Sequence, residues 1–201
     1  GYPFCRGRIF DVVEKDCGQY DTVTEVMWVT GAALFIRLAD YREVGGLDGH
    51  FFAHMEEIDL CWRLRSRGKK LVCIPQSVVY HVGGATLKKE NPRKTFLNFR
   101  NNLLMLYKNL PDKELEHVLF IRGILDRVAA LVFYLKKDRA NARAVMQARR
   151  EFEDIRYSFA ASRIENIMKS TDEMIPERTH FSILMKYYLL GKKHFSQLKL
   201  F

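Results

Sequence analysis

Three carboxylates occur within four residues in the first half of the chain, at Glu56, Glu57 and Asp59. An aromatic pair at 51–52 precedes them, and an apolar repeat with arginines follows and ends at Gly68. Neighbouring carboxylates raise each other's pKa, so one of them is a candidate general base. The pattern is also typical of an ordinary helix, because acids in the first turn and bases in the last complement the helix dipole. On pattern alone the ordinary helix is favoured, so a catalytic interpretation depends on the segments around it.

The composition is that of a folded domain with an uneven charge. The chain has 201 residues, of which 48% are apolar and 28% charged, and its net charge is +9. Residues 1–87 are close to neutral, so the excess of Lys and Arg lies in residues 88–201. A basic half favours an acidic partner, and nucleic acid, a phospholipid surface and phosphorylated substrates are all open.

The cysteines and the N-terminus add little. The four cysteines form no Cys-x-x-Cys pair and no Cys/His spacing suited to zinc, and none requires an oxidising compartment. No signal peptide is visible, and the sequence starts with Gly-Tyr-Pro. We therefore expect the chain to begin partway into a longer protein or to have been trimmed.

Up to residue 90 the sequence predicts short strands and helices, and these elements must position the carboxylates. Alternating or continuous apolar runs predict short strands, and the carboxylates open a predicted helix at 55–67. A shorter helix is predicted at 39–44, before Gly45-Gly46. The predicted strands are 23–29, 32–36, 71–74 and 78–81.

After residue 90 the sequence predicts helices only. Asn91 is a good N-cap with Pro92 at the first helical position, and Pro111 ends that helix. The segment 117–135 is mostly apolar, but its charges at Arg122, Asp126 and Arg127 argue against a membrane span. It is predicted to be a packed helix or a helix lying at a membrane surface. Further helices are predicted at 139–168 and 181–190.

Several short motifs follow one another in an order that matches a known family. They resemble the second half of family 2 glycosyltransferases, most closely bacterial enzymes that build surface polysaccharides. The resemblance covers about residues 23–105, and the ordered set is specific where each motif alone is weak. The motifs are Thr30-Gly31-Ala32, Glu43-Val44-Gly45-Gly46-Leu47-Asp48, Glu56-Glu57-Ile58-Asp59-Leu60, Val79-Tyr80-His81-Val82-Gly83-Gly84 and Asn98-Phe99-Arg100-Asn101-Asn102.

This resemblance implies an α/β architecture, the acceptor-side half of a GT-A fold. Residues 1–90 would form the acceptor-side part of the catalytic domain, a short mixed sheet with helices. Residues 91–201 would form a basic, all-helical C-terminal extension. The nucleotide-binding half of the family, with its Asp-x-Asp metal motif, has no counterpart here, because the chain contains no Asp-x-Asp. A nucleotide-sugar donor would therefore bind through a missing N-terminal half.

The resemblance also implies roles for the carboxylates. Glu57 matches the family's catalytic base, which takes the proton from the acceptor hydroxyl, although the usual residue there is Asp. Glu56 is the neighbour that could orient the site. Asp59 could contact the acceptor, or pair with Arg63 four residues on.

Further site candidates follow from the other motifs. His81 resembles the histidine that in some members completes a divalent-metal site, for Mn²⁺ or Mg²⁺, while a strand-end histidine bonded to a backbone carbonyl is the structural alternative. Arg100 could reach a diphosphate or lie on a solvated helix face, and Trp62 fits a helix core better than a sugar platform. The substrate-binding candidates are Thr30, Gly31, Trp62, Gly83, Gly84 and Arg100.

The sequence thus predicts part of an inverting glycosyltransferase. It would move a sugar from a nucleotide-sugar to a hydroxyl of a glycan or lipid-linked acceptor in cell-surface polysaccharide synthesis, and would be inactive without its nucleotide-binding half. We expect a cytoplasmic location, peripheral on the inner membrane face, with an anionic membrane surface as a partner near 117–135. The alternative is a basic nucleic-acid- or membrane-surface-binding module without catalysis, but no nucleic-acid motif is present and no nucleic-acid partner is expected.

Overall fold

The computed structural model describes residues 1–82, 91–171 and 175–200. In this part of the chain helices dominate, and the strands are short. In chain order the elements are β1 (Arg8–Ile9), β2 (Val12–Val13), β3 (Thr24–Glu25), α1 (Leu38–Glu43), α2 (Glu56–Ser66), β4 (Val72–Cys73), α3 (Pro92–Asn109), α4 (Asp112–Leu135), α5 (Arg139–Ile155) and α6 (Ala160–Met168).

The strands form two separate antiparallel pairs. β1 pairs with β2, and β3 pairs with β4 so that Thr24 lies opposite Cys73. The predicted strands at 23–29 and 71–74 therefore shrink to two residues each, and the mixed sheet that was predicted is replaced by these two pairs in the described residues. A strand persists only where a neighbour completes its hydrogen bonds, and these apolar runs meet a partner over two residues only.

Two other strand predictions were wrong. The run predicted as a strand at 32–36 starts instead as a 3₁₀ turn, Gly31–Ala33, because the Thr30 side chain accepts a hydrogen bond from the Ala32 amide. Residues 78–81, in the described part of the chain, form no strand, and Val78, Val79 and Tyr80 are exposed.

The helix predictions held much better, because their caps are local. Asn91 accepts a hydrogen bond from the Arg93 amide and Pro92 opens α3, as predicted. Asp138 caps α5 by accepting from the Asn141 amide. The segment predicted as one helical stretch at 139–168 is α5, a 3₁₀ turn at Arg156–Phe159, and α6.

The main core joins the two halves of the chain. Phe51, Ile58 and Trp62 pack in one cluster with buried residues of α3, α4 and α5. Along its length α3 packs against α2, α5 and α6, and α4 packs against α5. The segment before residue 90 and the helices after it therefore share a hydrophobic interior.

A second cluster joins the ends of the chain. Ile9 packs against Ile183, Phe195 and Leu198. The helix predicted at 181–190 is mostly a π-helical turn, Met185–Leu189, and Gly191 follows it with a left-handed φ of 65°.

No described helix is both long enough and apolar enough to cross a bilayer.

Candidate active site

A strained turn leads into the acidic helix. Phe52, His54 and Met55 have φ values of 60°, 70° and 74°, a left-handed conformation that non-glycine residues adopt at a cost of about 1–3 kcal/mol each. At Phe52 the chain makes a three-residue γ-turn, in which the Ala53 amide donates to the Phe51 carbonyl at 2.7 Å. Strain of this kind persists only where the surrounding structure holds the turn in place.

Asn101 of α3 holds this turn. Its side-chain amide nitrogen lies 2.8 Å from the carbonyl oxygens of Phe51, Ala53 and His54, and the residue is fully buried. Arg100 supports the same segment by donating to the His50 carbonyl at 3.1 Å. The start of α2 is therefore positioned by a helix that lies far along the sequence.

Three polar side-chain atoms at the end of this turn are buried without a hydrogen-bond partner. They are Nε2 of His54, Oε2 of Glu56 and Oε2 of Glu57. Buried polar atoms are nearly always paired, so a cluster of unpaired ones marks a place where a ligand or a reaction can supply the missing contact.

The electrostatics of Glu57 suit a proton acceptor. Burial raises the pKa of Glu57, the charge of Glu56 adds to the rise, and backbone amides at the start of α2 offset part of it. Burial also lowers the pKa of His54, an effect that Lys94 strengthens and Glu56 opposes. A raised pKa makes a carboxylate a stronger proton acceptor, which suits a general base.

The Thr-Gly-Ala turn lies directly beside Glu57. A Cβ placed on Gly31 would lie 3.7 Å from the Cβ of Glu57. One turn further along α2, burial raises the pKa of Cys61 to about 11, and its thiol faces the backbone of Val29. Thr30 itself is exposed and caps the turn. The structure thus brings together two of the motifs, the 30–32 turn and the start of α2.

Asp59 occupies a different environment from the two glutamates. It is fully buried, and its Oδ2 accepts from Nε of Arg63 at 3.0 Å and Nζ of Lys108 at 2.9 Å, while its Oδ1 accepts from the amide of Asn109 at 2.8 Å. Lys108 also donates to Asp48 at 2.8 Å. Of the two roles considered for Asp59, the pairing with Arg63 is the one present.

The same network ties α2 to the Gly-Gly turn after α1. Arg63 donates to the carbonyls of Val44 and Gly46, the latter at 2.7 Å. Burial would raise the pKa of Asp48, but Lys108 and His50 hold it down, to about 2. Buried charges that are fully paired fix the geometry of the surrounding elements.

Two other candidates lie in structural positions. Besides His50, Arg100 contacts the side chain of Asn101 and pairs with Glu151 at 2.7 Å, so its guanidinium is neither free nor on a solvated helix face. Trp62 is buried in the main core, as favoured from the sequence. It also lines a cavity of about 210 Å³ together with Asn109, Asn166 and others, and neither Glu56 nor Glu57 lines this cavity.

His81 is exposed, and it lies in an irregular segment. Among the described residues, no three His, Cys, Asp or Glu side chains come together to hold a metal ion. The described donor set therefore does not fit a metal by itself. Gly83 and Gly84 lie outside the described residues.

Sequence reasoning missed three residues of this region: His54, Asn101 and Lys108. Asn101 was inside a quoted motif, but only Arg100 was singled out from it. A buried amide or ammonium has no periodic signature, because its role depends on the carbonyls and carboxylates that tertiary packing brings to it.

Comparisons with known proteins agree on one class of enzyme. The chain is 31% identical over 141 residues to a pre-mycofactocin glycosyltransferase of Mycobacterium tuberculosis, an overlap of 65% of this chain and 29% of that protein. It is 33% identical over 69 residues to the rhamnosyltransferase WbbL of Escherichia coli, covering 34% and 25% of the two chains. It is 38% identical over 56 residues to an N-acetylglucosaminyl-diphospho-decaprenol L-rhamnosyltransferase of Mycobacterium tuberculosis, covering 28% and 18%.

Other comparisons give no match. No protein-family model matches the chain, and no solved structure does. The chain spans less than a third of the length of these curated relatives. Similarity to three differently named glycosyltransferases supports a role in glycosyl transfer.

Proposed function

We propose that this chain carries the acceptor side and the catalytic base of an inverting, family 2 type glycosyltransferase. Residues 1–90 belong to its catalytic domain and residues 91–201 to a helical extension that braces it. The nucleotide-sugar donor binds to a nucleotide-binding half outside these 201 residues. The acceptor is a glycan or a lipid-linked sugar used in cell-surface polysaccharide synthesis.

In this proposal Glu57 performs the proton transfer. Its carboxylate accepts the proton of the acceptor hydroxyl as that oxygen bonds to the anomeric carbon of the donor sugar. The bond from the anomeric carbon to the diphosphate breaks on the opposite face, and the nucleoside diphosphate leaves with the electron pair. Attack from the face opposite to the leaving group inverts the configuration at that carbon.

The observation that carries the proposal is the unpaired Oε2 of Glu57 at the start of α2, beside the 30–32 turn. A base must lie about 3 Å from the hydroxyl it deprotonates, and this oxygen has no competing partner. Its raised pKa fits the role. Glu56, also with an unpaired oxygen, is the neighbour proposed to orient the acceptor or to keep Glu57 basic.

The remaining candidate residues have different roles in this proposal. Thr30 and Gly31 lie where an acceptor at Glu57 would pass. A divalent metal, Mn²⁺ or Mg²⁺, belongs to the complete enzyme, and His81 would supply one ligand. Asp59, Trp62 and Arg100 support the fold around the site. The protein is proposed to be cytoplasmic and to contact an anionic membrane surface from that side.

The test uses a protein that also contains the donor-binding half. Glu57→Gln should lower kcat by about 100-fold or more, because Gln keeps the shape of the side chain but cannot accept the proton. The KM for the donor should stay within about twofold of the wild-type value, because the substitution leaves ground-state binding of the donor unchanged. Glu116→Gln, which changes an exposed carboxylate on α4, is the matched control and should keep normal turnover. Near-normal turnover by Glu57→Gln would exclude Glu57 as the base.

The chain alone provides a second test. Mixed with nucleotide-sugars and Mn²⁺, the 201-residue chain should release no nucleoside diphosphate above background. Robust release would mean that the donor site lies within these residues and would contradict the division proposed above.

A further inference from the structure

Helix α4 has charged residues on its inner side. Arg122 and Asp126 are both buried and pair with each other at 3.1 Å. Asp126 also accepts from Arg149 of α5 at 2.9 Å and from the Tyr2 hydroxyl at 3.1 Å, and Arg122 donates to Asn102 of α3. The inner side of α4 therefore carries a buried ion pair beside buried apolar residues such as Leu115 and Leu119.

Its outer side is largely apolar and exposed, with Arg127 as an exposed charge among the apolar residues. Large apolar side chains recur there at intervals of three and four residues, which places them in one stripe along the helix. Each is between 39% and 70% exposed. A contiguous exposed apolar stripe of this length is uncommon on an isolated globular chain, so it indicates a surface that something else covers. Its members are Phe120, Ile121, Ile124, Val128, Leu131, Val132 and Leu135.

The charges around the stripe indicate what covers it. Lys136, Lys137 and Arg139 follow directly at its C-terminal end, and Arg143 lies one turn further along α5; all four are exposed. The acidic residue within this cluster, Asp138, is engaged in capping α5. An apolar stripe that leads into a basic cluster complements the acyl chains and anionic headgroups of a bilayer.

A second copy of this chain is a poorer fit. Each copy carries a net charge of +9, so self-association brings two strongly positive chains together. The buried Arg122 and Asp126 also keep α4 attached to the protein, and no described helix could cross a bilayer. The occupant that fits is a surface on which the helix lies flat.

We propose that the outer face of α4, together with the basic cluster at its C-terminal end, is a docking surface for an anionic lipid bilayer. The apolar stripe enters the boundary between headgroups and acyl chains, and the basic cluster contacts the headgroups. This inference rests on the membrane location in the proposed function. Vesicle binding needs no sugar donor, however, so it tests the docking surface separately from glycosyl transfer.

The first experiment tests the stripe with the 201-residue chain. Binding is measured by flotation with vesicles of phosphatidylcholine alone and of phosphatidylcholine mixed with phosphatidylglycerol. The wild type should bind the mixed vesicles only. Ile124→Glu combined with Leu131→Glu should weaken this binding at least about tenfold, because each removes an apolar side chain that the bilayer would bury. The control variant, Ile164→Glu with Met168→Glu, replaces two exposed apolar residues of α6. It adds the same negative charge as the stripe variant and should bind the vesicles normally.

The second experiment tests the basic cluster. Lys136→Gln with Lys137→Gln should weaken binding about 25-fold at low salt, since each charge near an anionic surface contributes about fivefold. Lys15→Gln with Arg42→Gln removes two exposed charges elsewhere and should have a much smaller effect. All variants should melt at the wild-type temperature, because every changed side chain is exposed.

Three results would overturn the proposal. Equal binding to neutral and mixed vesicles would exclude recognition of anionic lipid. Normal binding by the stripe variants would place the contact elsewhere. A wild type that sediments as a dimer, with stripe variants that sediment as monomers, would show that a second copy covers the face.

Discussion

Replacing Glu57 and Asp59 by their amides should affect stability differently, although they lie two residues apart on α2. Both substitutions remove one negative charge and keep the shape of the side chain. In Asp59→Asn, an amide group replaces an oxygen that accepts from Arg63 and Lys108 or from Asn109. Two buried cations then lose their shared counter-charge. Breaking a buried ion pair from one side costs about 3–5 kcal/mol.

Glu57→Gln should not destabilise the protein. Oε2 of Glu57 has no partner to lose, and burial disfavours its charged form. Since the folded-state pKa lies above the ordinary value of 4.5, the folded protein binds more protons in the window between these two values. Wild-type stability therefore falls as pH rises through that window. At neutral pH the Gln variant should be as stable as the wild type or slightly more stable, and any gain should vanish below pH 4.5.

Urea unfolding measures both effects. At neutral pH the midpoint for Asp59→Asn should fall while the slope stays constant, which separates lost stability from a changed unfolded state. In thermal unfolding the same loss corresponds to about 6–20 °C for a chain of this size. A stable Asp59→Asn together with a Glu57→Gln that loses several kcal/mol would refute the reasoning, because Glu57 would then be the structural carboxylate.

Asn101→Ala should cost at least about 2 kcal/mol, because carbonyls of the strained turn lose their shared donor, and hydrogen exchange at 52–56 should accelerate most. A thiol reagent at pH 8 should modify exposed Cys17 quickly and Cys61 only after denaturation, since burial raises the pKa of Cys61 to about 11; modification of Cys61 in the native state would contradict its burial. Because Lys108 and His50 hold the pKa of Asp48 at about 2 against the opposing effect of burial, its contribution is present above its ordinary value of 3.8 and is lost as pH falls towards 2; the stability gap between wild type and Asp48→Asn, followed by urea unfolding, should close over that range.

The elements that the sequence predicted correctly are those that local chemistry determines. Asn91 and Pro92 start α3 through contacts within one helical turn, so the sequence alone was sufficient. The strands at 32–36 and 78–81 depended on neighbours that the described residues do not provide. Apolar alternation indicates that a segment can pair, but not that a partner is present.

The same distinction applies to the carboxylates. The acidic cluster was recognisable from the sequence, but the roles within it were not, since neighbouring acids in one helical turn look equivalent. What separates Asp59 from the two glutamates is the direction in which each points. Asp59 faces Lys108 and Asn109 of α3, about fifty residues away along the chain, whereas Glu57 faces the 30–32 turn.

The position of Glu57 in turn depends on Asn101 more than on any residue near it in sequence. Met55 precedes α2 in a left-handed conformation and offers no side-chain cap, so local chemistry does not favour a helix that starts there. One buried amide from α3, bonded to three carbonyls, makes the strained turn the stable one. Helix α3 therefore does more than brace the site from outside, because it sets where the acidic helix begins and hence which carboxylate stays unpaired.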